Sequence, residues 1–289
     1  MTAASGRLGH ATLRALVREV GAASVVGVAR RPARIAVPGI ETRSGDYQSV
    51  RSMEAALEGI DALVMISAPV TPGTDRLALH RNAIAGATRA GVKTTLYTSV
   101  IGSDGAKGTL FKPMHGLNRQ TEAELRASGM QWIVARNGLY MELDLEHIIR
   151  AGAQGGVYRN PGGPGRAPYI TIDELAFGAA RLVTGAAPAG RVYNLCGECA
   201  TQAELVALAN AVFGLAVAYD TESDEDCIAR FLRVYPERGE DVARMLTGCF
   251  QCIRNGAFDV PSDFAAATGR PCRSLRQMME DCRSKRATG

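Results

Sequence analysis

The first 135 residues alternate short apolar, β-rich runs with helical patterns, and that alternation admits few folds. Ser24 to Arg30 reads as a buried strand, and Glu41 to Asp46 as a weaker one. Asp61 to Ser67, Lys93 to Thr98 and Met130 to Ala135 follow as strong strands. Between them, Leu8 to Val20 places Leu8, Leu13, Leu16, Val17 and Val20 near one helical face. Val50 to Leu57, Asp75 to Ala90 and Asn118 to Ala127 behave similarly. Continuous apolar strands separated by amphipathic helices imply a parallel sheet covered on both faces. Right-handed crossovers make that a doubly wound, Rossmann-like α/β fold.

From about Glu142 the pattern loosens. Gly152 to Pro168 is rich in Gly and Pro and reads as an excursion. Thr171 is a candidate cap for a helix opening at Ile172, and Val192 to Leu195 is a late strand. Helices follow over Gln202 to Phe213, Asp224 to Leu232, Glu240 to Ile253 and Ser274 to Cys282. The expected division is a dinucleotide-binding core over 1–141 and a smaller α+β substrate-side lobe over 142–289, interleaved with the core.

The charge balance narrows the partners. The formal net charge is +4 with the basic residues scattered, so neither a nucleic-acid nor an anionic-membrane surface is expected. No apolar run approaches the roughly 20 residues of a membrane span. The start, Met1 to Gly6, has no secretory pattern, so the expected location is the cytoplasm. Cys196/Cys199 and Cys249/Cys252 have CxxC spacing, but one pair falls inside a helical pattern. Seven cysteines in such a chain read as unpaired thiols, with no metal site expected.

The chemistry begins at Ala3-Ala4-Ser5-Gly6-Arg7-Leu8-Gly9, just before the first helix. A Gly-rich turn there lets backbone N–H groups approach a diphosphate, and the helix N-terminus adds free donors and a favourable dipole. Ser5, Gly6, Arg7, Leu8 and Gly9 are the candidate phosphate contacts, with Gly9 also permitting close helix–sheet packing. About twenty residues on, the second strand ends at Arg30. An acidic residue in that place binds a ribose hydroxyl, whereas arginine accommodates the 2′-phosphate of NADP. Asp46, at the end of the third strand, is a candidate for the adenine edge. Ser67 and Ala68 end the fourth strand, where a loop passes beneath a cofactor. All lie at strand carboxyl ends, where open sheets bind ligands. One feature conflicts. Only Met1 and Thr2 precede the turn, so the first strand reads as truncated. Met1 to Ala4 forms a stub, the chain is a shortened relative, or the start is placed too late.

Ala3 to His10 with Arg30, the Gly45-Asp46-Tyr47 turn, Tyr97-Thr98-Ser99, Thr121-Glu122 and Arg136-Asn137-Gly138-Leu139-Tyr140 together resemble the NmrA-like atypical short-chain dehydrogenases. The resemblance continues through Tyr193-Asn194-Leu195 and Thr268-Gly269-Arg270-Pro271. It lies nearest the branch holding the type-2 NADPH-dependent quinone oxidoreductases and the triphenylmethane reductases. It implies NADP(H) as cofactor, Arg30 as the 2′-phosphate contact, Ser99 in the cofactor site, and Asn137 and Tyr140 lining the nicotinamide and substrate side. Ala3 replaces the first glycine of the family's phosphate turn. If the turn needs positive φ there, the Cβ costs about 1 kcal/mol. A family histidine is Asn118 here, with His115 one turn earlier.

No tyrosine has a lysine four residues on, which disfavours alcohol–ketone interconversion by the usual short-chain route. Quinone reduction asks less of the protein: positioning, and a donor near the developing oxyanion. Tyr140, Asn137 and His115 are the candidates. The expected function is reduction of a quinone or similar conjugated, planar aromatic small molecule by NADPH, in a possible homodimer. Two other readings stay open: an NADP(H)-sensing binding protein without turnover, and a pathway-recruited relative acting on a larger aromatic substrate, with or without cofactor.

Overall fold

A computed structural model describes residues 1–71 and 73–288. In chain order the first half runs α1 (Arg7–Val20), β1 (Val26–Ala29), β2 (Glu41–Ser44), α2 (Val50–Ala56), β3 (Ala62–Met65), α3 (Arg76–Arg89), β4 (Thr94–Val100), α4 (Lys112–Arg126) and β5 (Gln131–Asn137). The second half runs β6 (Leu139–Tyr140), α5 (Met141–Ala153), β7 (Val157–Asn160), β8 (Arg166–Ile170), α6 (Ile172–Val183), β9 (Arg191–Leu195), β10 (Cys199–Thr201), α7 (Gln202–Phe213), β11 (Ala218–Thr221), α8 (Asp224–Val234), α9 (Gly239–Arg254), α10 (Phe264–Thr268) and α11 (Leu275–Thr288).

The order β3-β4-β5-β9 forms a parallel sheet, and β1 pairs parallel with β2. Met1–Ala4 joins the two ladders. On one side the terminal ammonium donates to Val26 O (2.7 Å), Val28 N–H to Met1 O (2.8 Å) and Ala4 N–H to Val28 O (3.1 Å). On the other, Thr2 N–H donates to Val64 O (3.0 Å). Met1–Ala4 thus takes the central place between the two ladders and bonds to backbone groups on both sides.

Successive strand side chains point to opposite faces. Val64 and Leu96 belong to the layer under α1 and α6, with Leu13, Leu16, Leu175 and Leu182. Leu63, Met65 and Tyr97 belong to the layer under α2, α3 and α4, with Met53, Leu57, Ile84 and Leu125. The fold is the expected doubly wound one.

The second half grows from the carboxyl edge of this sheet. β6 follows β5 after one residue, and pairs with β8, which pairs with β10; β7 pairs with β11. Thr171 caps α6 as expected, its side chain accepting from Glu174 N–H. Three sequence expectations need correction. The Gly/Pro-rich 152–168 stretch carries β7 and the start of β8 rather than a bare excursion. A 13-residue helix, α5, occupies the region where periodicity loosened. And α4 starts at Lys112, not Asn118, because Pro113 sits in its first turn, where a missing N–H does no harm. Among the described residues no helix is long and apolar enough to cross a membrane.

Candidate active site

The turn before α1 is held in a strained form. Ala3 has φ +50°, the only positive φ at a non-glycine among the described residues. The Cβ penalty expected from the missing glycine therefore applies. Gly6 N–H donates to Ala3 O at 3.1 Å. Gly9 permits the closest approach: a Cβ there would lie 2.4 Å from Ala3 O and 2.9 Å from both Ala4 C and O. Gly6 differs, with φ −86° and its nearest neighbour at 3.5 Å from a Cβ. No local contact demands glycine at position 6, so its bareness serves the space outside.

That space suits a diphosphate. Ser5, Gly6 and Arg7 are exposed. Helices α2, α3, α6, α7 and α8 have their first N–H groups capped by Ser49, Asp75, Thr171, Thr201 and Ser223. α1, like α4, α5, α9 and α10, has no side-chain cap, and its first turn holds no acidic residue, which leaves donors for an anion. Leu8 and Gly9 are buried, so they offer backbone only. The Arg7 side chain is drawn to Glu146 at 2.9 Å.

Arg30 directly follows β1, exposed and without an ion-pair partner among the described residues. Asp46 sits after Gly45, where a Cβ would strike Val28 Cγ1 at 2.5 Å. Its carboxylate accepts from Gln48 N–H (3.0 Å) and its own N–H donates to Ser52 Oγ (3.1 Å), which fixes the turn. Tyr47 was not singled out from the sequence. Its hydroxyl donates to Ile66 O (2.9 Å) and meets Thr2 Oγ1, tying the stub to the end of β3.

The Ser67-Ala68 loop is clasped from α3, which sequence reading also missed. Ser67 N–H donates to Thr98 Oγ1 at 3.0 Å. Ala68 N–H donates to His80 Nε2 (2.9 Å), and Arg76 Nε donates to Ala68 O (2.6 Å). Because Nε2 accepts, the His80 proton sits on Nδ1, facing Thr121 Oγ1 at 2.9 Å. Burial, then the Arg76 charge, pushes the His80 pKa down to about 3, so it stays neutral.

Among the catalytic candidates, the structure brings Asn137 and Tyr140 together and engages His115 elsewhere. Asn137 Nδ2 donates to Tyr140 Oη at 3.2 Å. Burial raises the Tyr140 pKa, so the phenol keeps its proton; with Asn137 donating to its oxygen, that proton is free to point at a ligand. His115 Nε2 lies 2.9 Å from Arg119 Nη2, which can only donate, so Nε2 accepts. Burial and Arg119 lower its pKa, leaving a neutral imidazole beside Gly102. The Ser99 hydroxyl donates to Glu122 (2.7 Å). Glu122, buried in α4, also receives Arg119 (2.6 Å) and Arg136 (2.7 Å). Burial alone would raise its pKa, but these partners hold it below the usual range. This cluster pins α4 to the ends of β4 and β5.

A groove of about 1210 Å³ runs between α1, α5, α6 and α11, with Arg7 in its lining, and that lining is mixed in charge (Arg14, Arg18, Asp173, Asp281). All seven cysteines are free, and among the described residues no group of three or more His, Cys, Asp or Glu could hold a metal.

A sequence model described as NAD(P)H-binding matches residues 3–159. Quinone oxidoreductase 2 of Escherichia coli (strain K12) is 31% identical over 282 residues, covering 96% of each chain. A structure of that NADPH-dependent enzyme with NADPH superposes with a TM-score of 0.85, at 29% identity over 97% of this chain and 98% of the other. The triphenylmethane reductase of Citrobacter sp. with NADP(H) gives 0.85 at 26% identity, with the same coverage. A (4-alkanoyl-5-oxo-2,5-dihydrofuran-3-yl)methyl phosphate reductase of Streptomyces griseus is 27% identical over 286 residues, 96% of this chain and 94% of its own.

Proposed function

The chain belongs to the NAD(P)H-binding reductase family, and from that premise we propose that it reduces quinones or similar conjugated, planar acceptors with a preference for NADPH. The observation that carries this is the pairing of an uncapped, exposed α1 N-terminus with a free Arg30 directly after the adjacent strand. Backbone N–H groups of Ser5 and of Arg7 to Gly9 would hold the diphosphate over the bare Gly6, whose own N–H is given to Ala3 O, and Arg30 would hold the 2′-phosphate. Asp46 would border the adenine, and the Ser67-Ala68 loop, clasped by His80 and Arg76, would pass beneath the cofactor. Bound there, NADPH supplies the hydride. The protein's own work is to position the acceptor and to meet its developing oxyanion with the Tyr140 proton, oriented by Asn137.

The neutral, engaged His115 leaves Tyr140 as the better placed donor of the two. The relatives' names support a conjugated acceptor: a quinone, a triphenylmethane dye and an unsaturated lactone. The test is NADPH oxidation across a panel of quinones, followed by loss of the reduced-nicotinamide absorbance with product analysis. Stoichiometric hydroquinone is the expected result. Saturable NADPH binding with no turnover on any acceptor would instead support the sensing reading, which the strain at Ala3 favours.

A further inference from the structure

Buried charge is expensive unless it is answered by an opposite charge. Glu122 is answered by Arg119 and Arg136, and Glu174 by Arg270 at 2.7 Å. Arg76 is different. It is 8% exposed, and among the described residues no carboxylate lies within ion-pair distance of it. Its guanidinium meets neutral groups: Ala68 O at 2.6 Å, Met114 Sδ at 3.1 Å, Asn118 Oδ1 at 3.4 and 3.5 Å, and the Tyr97 hydroxyl. The Asn118 contacts are long, and that oxygen already accepts from Tyr97 Oη at 2.8 Å. A guanidinium does not deprotonate in a folded protein, so the charge persists.

Its place in the fold says what answers it. Ala68 follows β3, Tyr97 lies on β4, and Met114 and Asn118 lie on α4. Across the sheet order this is the side of the phosphate turn opposite to β1 and Arg30. The cofactor's adenosine half belongs with Arg30, so Arg76 belongs with the acceptor half. A second observation agrees. At the carboxyl end of β4, Arg119 donates to Val100 O (3.0 Å) and Gly102 O (3.1 Å), and Arg119 and Arg136 share the single Glu122. Arg126 shares Glu122 as well, at 3.5 Å, so together with Arg76 this region carries four guanidinium groups against one carboxylate.

We propose that the acceptor side of the cleft holds an anion subsite centred on Arg76, and that preferred acceptors are conjugated compounds bearing a fixed oxyanion group such as a carboxylate, sulfonate or phosphate. The inference rests on the proposed function only in placing the acceptor at this edge. Asn118 and Tyr97 shape the subsite, and the Ala68 carbonyl holds the guanidinium plane. A charge-assisted contact of this kind is worth about ten-fold or more in affinity.

The experiment uses non-reducible probes, so that it reads binding and not turnover. Naphthalene-2-sulfonate and its neutral counterpart naphthalene-2-sulfonamide are titrated calorimetrically into the full chain, with and without NADP⁺. The sulfonate should bind at least ten-fold more tightly, an advantage that falls with added salt. Arg76→Gln should abolish the advantage and Arg76→Lys retain part of it, with thermal melts confirming that both variants fold. Equal affinity of the two probes, no binding of either, or a preference that survives in Arg76→Gln would overturn the subsite. Should Arg76→Gln not fold, the wild-type pair and the lysine variant still decide. Failure of the reductase reading shows separately, as absent NADPH oxidation with a sulfonate preference intact.

Discussion

The turn before α1 and the second half of the chain are built by different means. On the phosphate side the backbone does the work: a stub strand, one strained alanine and one indispensable glycine shape a turn whose donors are main-chain N–H groups. On the lobe side, side chains do it. Tyr158 Oη donates to Asp144 Oδ1 at 3.0 Å, with Tyr169 and Gln202 close to the same carboxylate. Gln202 Oε1 accepts from Asn160 Nδ2 (3.0 Å), and Asn160 Oδ1 meets Tyr219 Oη (3.2 Å). A backbone-built site tolerates few substitutions at its turn, whereas a side-chain network is tunable. The difference fits a shared cofactor and a variable acceptor.

Gly9→Ala probes the backbone side and has the largest expected effect. A Cβ 2.4 Å from Ala3 O forces the helix off the turn. We expect a loss of about 3 kcal/mol, read as a melting temperature roughly 6–12 °C lower. Gly6→Ala, with open space at its Cβ, should leave the melt unchanged while weakening NADPH binding. Equal melting shifts in both would break the distinction drawn between the two glycines.

Asp144→Asn probes the lobe side, and its effect depends on pH. Burial raises the Asp144 pKa from 3.8 to about 6, against the smaller opposing pull of Tyr158, Tyr169 and Gln202. The folded state thus prefers the protonated form. That contribution is complete below about pH 4 and is lost as pH rises through about 6. Asparagine removes the penalty, so the variant should melt roughly 3–6 °C above wild type at pH 8 and level with it at pH 4. A pH-independent difference would contradict this assignment.

The smallest effect is Ala3→Gly. Relief of the positive φ should stabilise the chain by about 1 kcal/mol and tighten NADPH binding. No gain in either would mean the turn carries no strain.

This contrast also explains what the sequence revealed. The parallel sheet was legible because buried strands such as Leu63-Val64-Met65 are continuous apolar runs. The turn before α1 was legible because its shape resides in glycine spacing, and the substitution at Ala3 pointed to the strained position. Tyr47, Arg76 and His80 were not legible. Each acts on a residue brought close only by the tertiary fold: Thr2 and Ile66 for Tyr47, Ala68 for the other two. The lobe was hidden for a related reason. Its α5 carries Glu142 and Asp144 toward partners on α6 and β7, which interrupts the apolar period that marks a helix.

The most direct test of the account is calorimetric titration of NADPH and NADH into the wild-type chain and into Arg30→Ala. The account predicts that wild type prefers NADPH by about 10- to 100-fold, and that Arg30→Ala loses this preference while still binding NADH. Equal affinities in the wild type, or no binding of either dinucleotide by the folded chain, would contradict it.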